Sequence, residues 1–184
     1  TVFRTLVAGY LEDSTLDRLH NDAMAISNLA SAYYTDDTLT DQDFLVNLSI
    51  TAQVSGANAA ICDQNGKLVL CSDSPFGCDH QGWQLNEAYV RRVIQTGYAQ
   101  DTYVTNKLFT DEQYVVSVPI SEKRSGQIIG IVMVFTPMAD TNRMMNTISD
   151  IYLGVAMIVV LLSVVAMTFY ARSQSKPLQI MAKT

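Results

Sequence analysis

Histidine is nearly missing from this chain. Only two occur in 184 residues, beside one tryptophan and four prolines, and charged side chains make up just 16%. So little histidine leaves scant material for a Ser-His-Asp triad. A pairing of His80 with Ser72 or Ser74 reads as an ordinary loop histidine near serines. No phosphate-cradling glycine loop, metalloprotease helix or Gly-x-Ser-x-Gly turn occurs, so no catalytic constellation and no cofactor is expected. Basic excess is also lacking: the formal net charge is −6, which excludes nucleic acid as the expected partner. The chain is long enough for one domain with a real core plus an accessory element. It begins with Thr1 rather than Met and reads as a piece excised from a longer protein.

Apolar residue is abundant, at 48%, and concentrated. Residues 151–171 form a run of 21 without a charge, bracketed by Asp150 and Arg172. As a helix the run spans ~31 Å, which matches the hydrocarbon core of a bilayer. A buried core helix of that length would be expected to carry a charge, and a signal peptide would lie at the other end of the chain. Arg172, Lys176 and Lys183 follow the run with no acid among them, whereas all 18 acids precede it. Short cationic flanks stay in the cytoplasm, so the C-terminal end is expected inside and the acidic body outside. Residues 1–10 then read as the frayed end of an earlier membrane anchor.

Three cysteines fit an oxidising location. Cys71 and Cys78, seven apart around Pro75 and Gly77, are the disulfide candidates, and Cys62 is expected as a buried free thiol in a strand. A metal site made by Cys71, Cys78 and His80 is the alternative, although its spacing follows no standard zinc pattern.

Hydrophobic spacing sets the element order. Leu16, Leu19, Ala23, Ile26, Ala30 and Tyr33 recur every three or four residues, which predicts one long helix over 5–34. Its stripe is expected to pack on the domain's own sheet, with a partner chain as a further contact, and His20 is expected at the surface or at a cap. Thr40 and Asp43 mark the start of a second helix at 41–54. The acids Asp36, Asp37, Asp41 and Asp43 read as helix-terminus and turn residues rather than a cation site, and the Asn47 sequon is discounted because it lies inside that helix. The period then changes to two. Residues 58–62 and 67–71 form a hairpin about Asp63-Gln64-Asn65-Gly66, and a helix follows at 85–96, stopped by Gly97. Three more strands, 98–105, 113–120 and 127–135, precede a helix at 138–150 that runs straight into the apolar run. The expected class is α+β, with an antiparallel sheet of about five strands.

The stretches AAICDQNGKLVLCS and QYVVSVPISEKRSGQIIGIVMVFTPM resemble the central hairpin and closing strands of the Cache (PAS-like, PDC) sensor domains of bacterial receptors. The stretch ARSQSKPLQIMAKT resembles the opening of a HAMP linker, with Pro177 after a basic segment and Leu178 and Met181 beginning a heptad. The resemblance covers nearly the whole chain. It implies a sensor domain at 1–150, a transmembrane helix at 151–171 and the start of a cytoplasmic HAMP linker at 172–184. The family's amino-acid-binding signature is absent. The implied function is the sensing and membrane-crossing part of a two-component sensor histidine kinase. The parent would be a homodimer addressing a cytoplasmic response regulator, with its kinase chemistry beyond residue 184. A chemoreceptor or a cyclic-dinucleotide enzyme is the first alternative; a membrane-anchored hydrolase or adhesion module is an alternative of another class.

The resemblance further implies a pocket between the sheet and its covering loops. Candidate ligand residues there are His80, Trp83, Arg91, Tyr103, Lys107, Tyr114 and Ser117. Aromatic walls with a few polar groups suit a small molecule, and Arg or Lys would suit an anionic one. Each has a plainer reading: Tyr103 and Tyr114 as cross-strand packing partners, Arg91 and Arg92 as a solvated helix face, Trp83 as core or rim.

Overall fold

The periodic stripe on the first helix is buried: Leu16, Leu19, Ala23, Ile26 and Ala30 all lie in the main apolar cluster, with Tyr33 packed against it. The helix that carries them, α1 (Val2–Tyr33), begins three residues earlier than its periodicity predicts. In this computed structural model the backbone is described for residues 2–34, 42–72, 82–101, 109 and 111–181, and the side chains for 5–34, 43–72, 82–101, 109 and 111–172. The elements that follow are α2 (Gln42–Ser55), β1 (Asn58–Asp63), β2 (Leu68–Cys71), α3 (Glu87–Thr96), β3 (Ala99–Asp101), β4 (Gln113–Ser121), β5 (Ile128–Pro137) and α4 (Met138–Met181).

The five strands form one antiparallel sheet in the order β2-β1-β5-β4-β3. Side chains alternate across it, because successive residues of a strand point to opposite faces. Tyr114, Val116, Val118 and Ile120 of β4 join Val132 and Val134 of β5 under α1 and α2. Val115 of β4 joins Ile131, Met133 and Phe135 of β5 under α3. Burial of each large aliphatic in these layers contributes about 1.5–3 kcal/mol. Two hydroxyls clip α1 along β4: Ser27 Oγ donates to the Pro119 carbonyl at 2.8 Å, and Ser31 Oγ to the Ser121 carbonyl at 2.6 Å.

The hairpin turns on its glycine. Gly66 has φ 79°, and Asp63 Oδ1 accepts from the amides of Asn65 and Lys67, both at 2.8 Å. Asn47, the discounted sequon residue, lies inside α2 and donates from Nδ2 to Tyr33 Oη at 3.0 Å and to the Asp43 carbonyl at 2.9 Å. His20 is not the surface or cap residue that the sequence suggested. It is half-buried, edge-on to the Tyr98 ring at 4.8 Å. The predicted strand over 98–105 is described only as Ala99–Asp101, and Asp36, Asp37, Thr40 and Asp41 lie outside the described residues.

The chain divides into two compact units, residues 1–142 and 143–184, and the division falls inside α4. Within α4, Met138–Arg172 is long and apolar enough to cross a membrane, and its apolar window buries no surface in the protein. Ile158, Val160, Leu162 and Val164 are each more than half exposed, an apolar surface that water would solvate poorly and that lipid would take up.

Candidate functional site

The α3 face of the sheet carries the buried polar side chains of Gln113 and Ser117. Strand register orders it in rows. Asp101, Val115, Phe135 and Asn58 follow one another across β3, β4, β5 and β1; Ala99, Ser117, Met133, Ala60 and Cys71 form the next row; Ile131, Cys62 and Leu68 lie in the third. Gln113 precedes the first row on β4, two residues from Val115 and so on the same face.

Helix α3 covers these rows because its ends are defined by side-chain chemistry. Asn86 Oδ1 accepts from the Ala88 amide at 2.8 Å, and Gly97, at φ 71°, donates its N–H to the Val93 carbonyl. The cap explains why the helix starts at Glu87 rather than Leu85, whose N–H is committed to the Gly66 carbonyl at 2.8 Å. Val90 and Val93 are buried, and Tyr89 reaches across to the sheet, where its hydroxyl donates to Ser117 Oγ at 2.9 Å. Phe109 stacks on Phe135 with centroids 4.5 Å apart and planes tilted by 56°. Trp83 packs against the same cluster, and its carbonyl accepts from the Leu68 amide at 2.9 Å.

Burial governs the titration of this face. It pushes the Cys62 thiol from an ordinary value near 9 up to about 12, with Asp63 adding to the effect. The Tyr89 phenol is likewise pushed up to about 12 by burial, partly opposed by its bond to Ser117 and by Arg92, whose guanidinium sits 6.0 Å from the ring centroid. For both groups the folded state holds its proton more tightly than the unfolded chain does. Their contribution to stability is therefore complete below the unfolded values and is lost as pH rises toward 12. Stability is expected to fall between pH 9 and 12 in denaturant titrations, and Cys62 to resist a thiol reagent at pH 8 until the chain unfolds. Rapid labelling of the folded chain at Cys62 would contradict this.

Of the candidates read from the sequence, Ser117 and Trp83 stand on the α3 face. Tyr114 lies on the opposite face among the α1 contacts, because adjacent parity on β4 separates it from Ser117. Arg91 points outward and pairs with Glu87 one turn away at 2.7 Å, with both side chains mostly exposed. His80, Tyr103, Lys107 and Cys78 lie outside the described residues. Cys71 ends β2, is buried and is disulfide-bonded, while Cys62 is a free thiol. Residues that sequence reasoning passed over are Tyr89, Asp101, Gln113 and the pair Phe109 and Phe135. Tyr89 shares the apolar face of its helix with Val93, and Gln113 shares the parity of Ser117 on β4, so helix periodicity and strand parity were the signals that could have found them.

No family model and no curated protein matches the sequence. Solved structures do match. The ligand-binding domain of the Pseudomonas aeruginosa PAO1 amino acid chemoreceptor PctC, in complex with GABA, is 11% identical, with a TM-score of 0.57 over 77% of this chain and 63% of that one. The Escherichia coli DcuS sensor domain is 13% identical, with a TM-score of 0.52 over 72% of this chain and 98% of that one. The ligand-binding domain of the Campylobacter jejuni chemoreceptor Tlp3, in complex with 4-methylisoleucine, is 16% identical, with a TM-score of 0.51 over 77% and 62%. The chain thus spans nearly all of the DcuS domain and a little under two thirds of the chemoreceptor domains. At such low identity the likeness concerns the fold: a long helix, a five-stranded antiparallel sheet and a following apolar helix, the α+β arrangement of PAS-like Cache sensor domains.

Proposed function

We propose that this chain is the sensing and membrane-crossing part of a sensor histidine kinase, binding a small organic ligand on the α3 face of its extracytoplasmic domain. The observation that carries the reading is the path of β5. Met133 and Phe135 of that strand line the polar face, and the same strand passes at Pro137 directly into α4, the helix that bears the apolar span. A ligand that favours one of two arrangements of β5 would move α4 by about 1–2 Å, and a coupling of about 1–3 kcal/mol suffices for signalling. The basic residues after the span support a cytoplasmic C-terminal end, and Pro177 with Leu178 supports a HAMP linker there. Such a linker makes the parent a homodimer, and a histidine kinase acts on a response regulator. Cys71, the last residue of β2, is proposed to bond Cys78. The anionic ligand expected from the sequence would depend on Lys107 and His80, since Arg91 is engaged by Glu87.

Two experiments test this reading. In membrane vesicles of known sidedness, Ser125→Cys should be labelled by an impermeant maleimide from the extracytoplasmic side and Lys183→Cys from the cytoplasmic side; the reverse pattern would overturn the orientation. Fused ahead of a kinase catalytic part, the chain should confer ligand-dependent phosphorylation. A response seen only in a chemoreceptor fusion would favour the alternative.

A further inference from the structure

Gln113 is 7% exposed, and its Oε1 is buried without a hydrogen-bond partner. A buried acceptor left unpaired destabilises the fold that carries it, whereas an apolar side chain of the same shape would not. The residue stands at the joint between the sheet and α4. In the β4–β5 ladder it lies directly opposite Pro137, the last residue of β5. One residue earlier, the Glu112 carbonyl accepts from the N–H of Met138, the first residue of α4, at 3.0 Å. Directly opposed residues of an antiparallel pair keep their Cβ atoms about 4.5–5.5 Å apart on one face, so the start of α4 falls within reach of the Gln113 side chain. Pro137 gives no N–H to its rung, which leaves this end of the ladder weaker than its middle. The helix start has the complementary shortage. The first four N–H groups of an α-helix find no acceptor within it. Met138 spends its own on Glu112, and among the described residues no backbone carbonyl outside the helix takes the N–H of Ala139 or Asp140. Acceptor and donors belong to the same compact unit, residues 1–142.

We infer that Gln113 is a latch for the first turn of α4: in a second arrangement of β5 and α4, its Oε1 accepts from the N–H of Ala139 or Asp140. The arrangement described above is then the unlatched one. Latching pairs the buried acceptor and caps the helix start in one step. That gain offsets the packing given up when the joint shifts, so the two arrangements differ by little free energy, and a ligand with a modest preference can decide between them. The movement needed is about 1–2 Å, the scale of helix shifts in switching proteins. The consequence for signalling rests on the proposed role of β5 and α4; the latch itself does not.

The test uses the full chain in lipid nanodiscs and reads amide hydrogen exchange residue by residue, together with thermal unfolding. Gln113→Glu offers a carboxylate, a stronger acceptor that the positive end of a helix favours. At pH 7 the amides of Ala139 and Asp140 should exchange roughly fivefold more slowly in this variant than in the parent, with Val116 in mid-strand unchanged. The slowing should shrink as pH falls through the carboxylate range near about 4, because protonation removes the charge. Gln113→Met keeps the length of the side chain and removes the acceptor. It should raise the unfolding midpoint by a few degrees and leave the two amides exchanging no more slowly than in the parent. Unchanged exchange in Gln113→Glu, slowing that persists once the carboxylate is protonated, or a lowered midpoint for Gln113→Met would each overturn the latch. Ahead of a kinase catalytic part, the two variants should move basal phosphorylation in opposite directions; movement in the same direction would overturn it too. Slowed exchange beside a fusion that never phosphorylates would support the latch and count against the sensor-kinase reading.

Discussion

Gly66→Ala is expected to destabilise the folded domain by about 2–5 kcal/mol, enough to leave a marginal domain largely unfolded at growth temperature. Two costs combine. Gly66 holds φ at 79°, a left-handed backbone conformation that costs an L-residue about 1–2 kcal/mol. An added Cβ would also stand 2.5 Å from Val90 Cγ2 and 2.9 Å from Leu85 Cβ, inside any tolerable contact. Overpacking of that kind costs about 1–3 kcal/mol more. Room cannot be made cheaply. Leu85 is tied through its amide to the Gly66 carbonyl, and Val90 is a buried anchor of α3. Relief would require the hairpin to move away from the helix that carries Tyr89, so ligand binding on the α3 face should fall together with stability. Chemical denaturation measures the loss. A midpoint within experimental error of the parent would show that hairpin and helix are not in the contact described. Gly97→Ala is the control. It shares the left-handed conformation, at φ 71°, but meets nothing within 4 Å, so only the smaller backbone cost should appear.

Phe44→Ala should cost about 3–5 kcal/mol, the range for deleting a fully buried aromatic. Phe44 has no exposed surface and heads the largest fully buried side chains. It sits in the first turn of α2 with its ring centroid 5.8 Å from that of Tyr33 at the end of α1, and so it joins the two helices on the sheet's far face. Its removal leaves a cavity bounded by a rigid sheet and two helices, which collapse poorly around it. The α3 face lies on the other side of the sheet. In the fraction that stays folded, ligand affinity should therefore match the parent. That separates Phe44 from Gly66: one change weakens the body alone, the other weakens the body and the site together. Equal loss of affinity in both variants would argue that the two faces are not independent.

How far the sequence reaches is clearest at particular residues. The stripe from Leu16 to Ala30 named its own buried face, because a helix repeats every 3.6 residues and apolar side chains at that spacing have one direction in which to be buried. Gly66 and Gly97 announced their turns, since a positive φ is a local requirement that glycine meets. The charge-free run inside α4 identified itself by composition. All of these depend on residues close together in the chain.

The site depends on residues that are far apart, and there the sequence ran out. Ser117 and Tyr114 looked like companions on one strand, yet the pleat sends them to opposite faces. Arg91 and Tyr89 are neighbours on one helix, yet one meets Glu87 in water and the other meets Ser117 against the sheet. Nothing local ties Gln113 to Pro137; strand register alone sets them opposite each other on neighbouring strands. Element types, the apolar run of α4 and the order along the chain were legible in the residues themselves, because short-range periodicity and composition encode them. Which side chains share a face, and which buried acceptor lacks a partner, was decided by the pairing of distant strands, because that pairing brings together groups separated by many residues of chain.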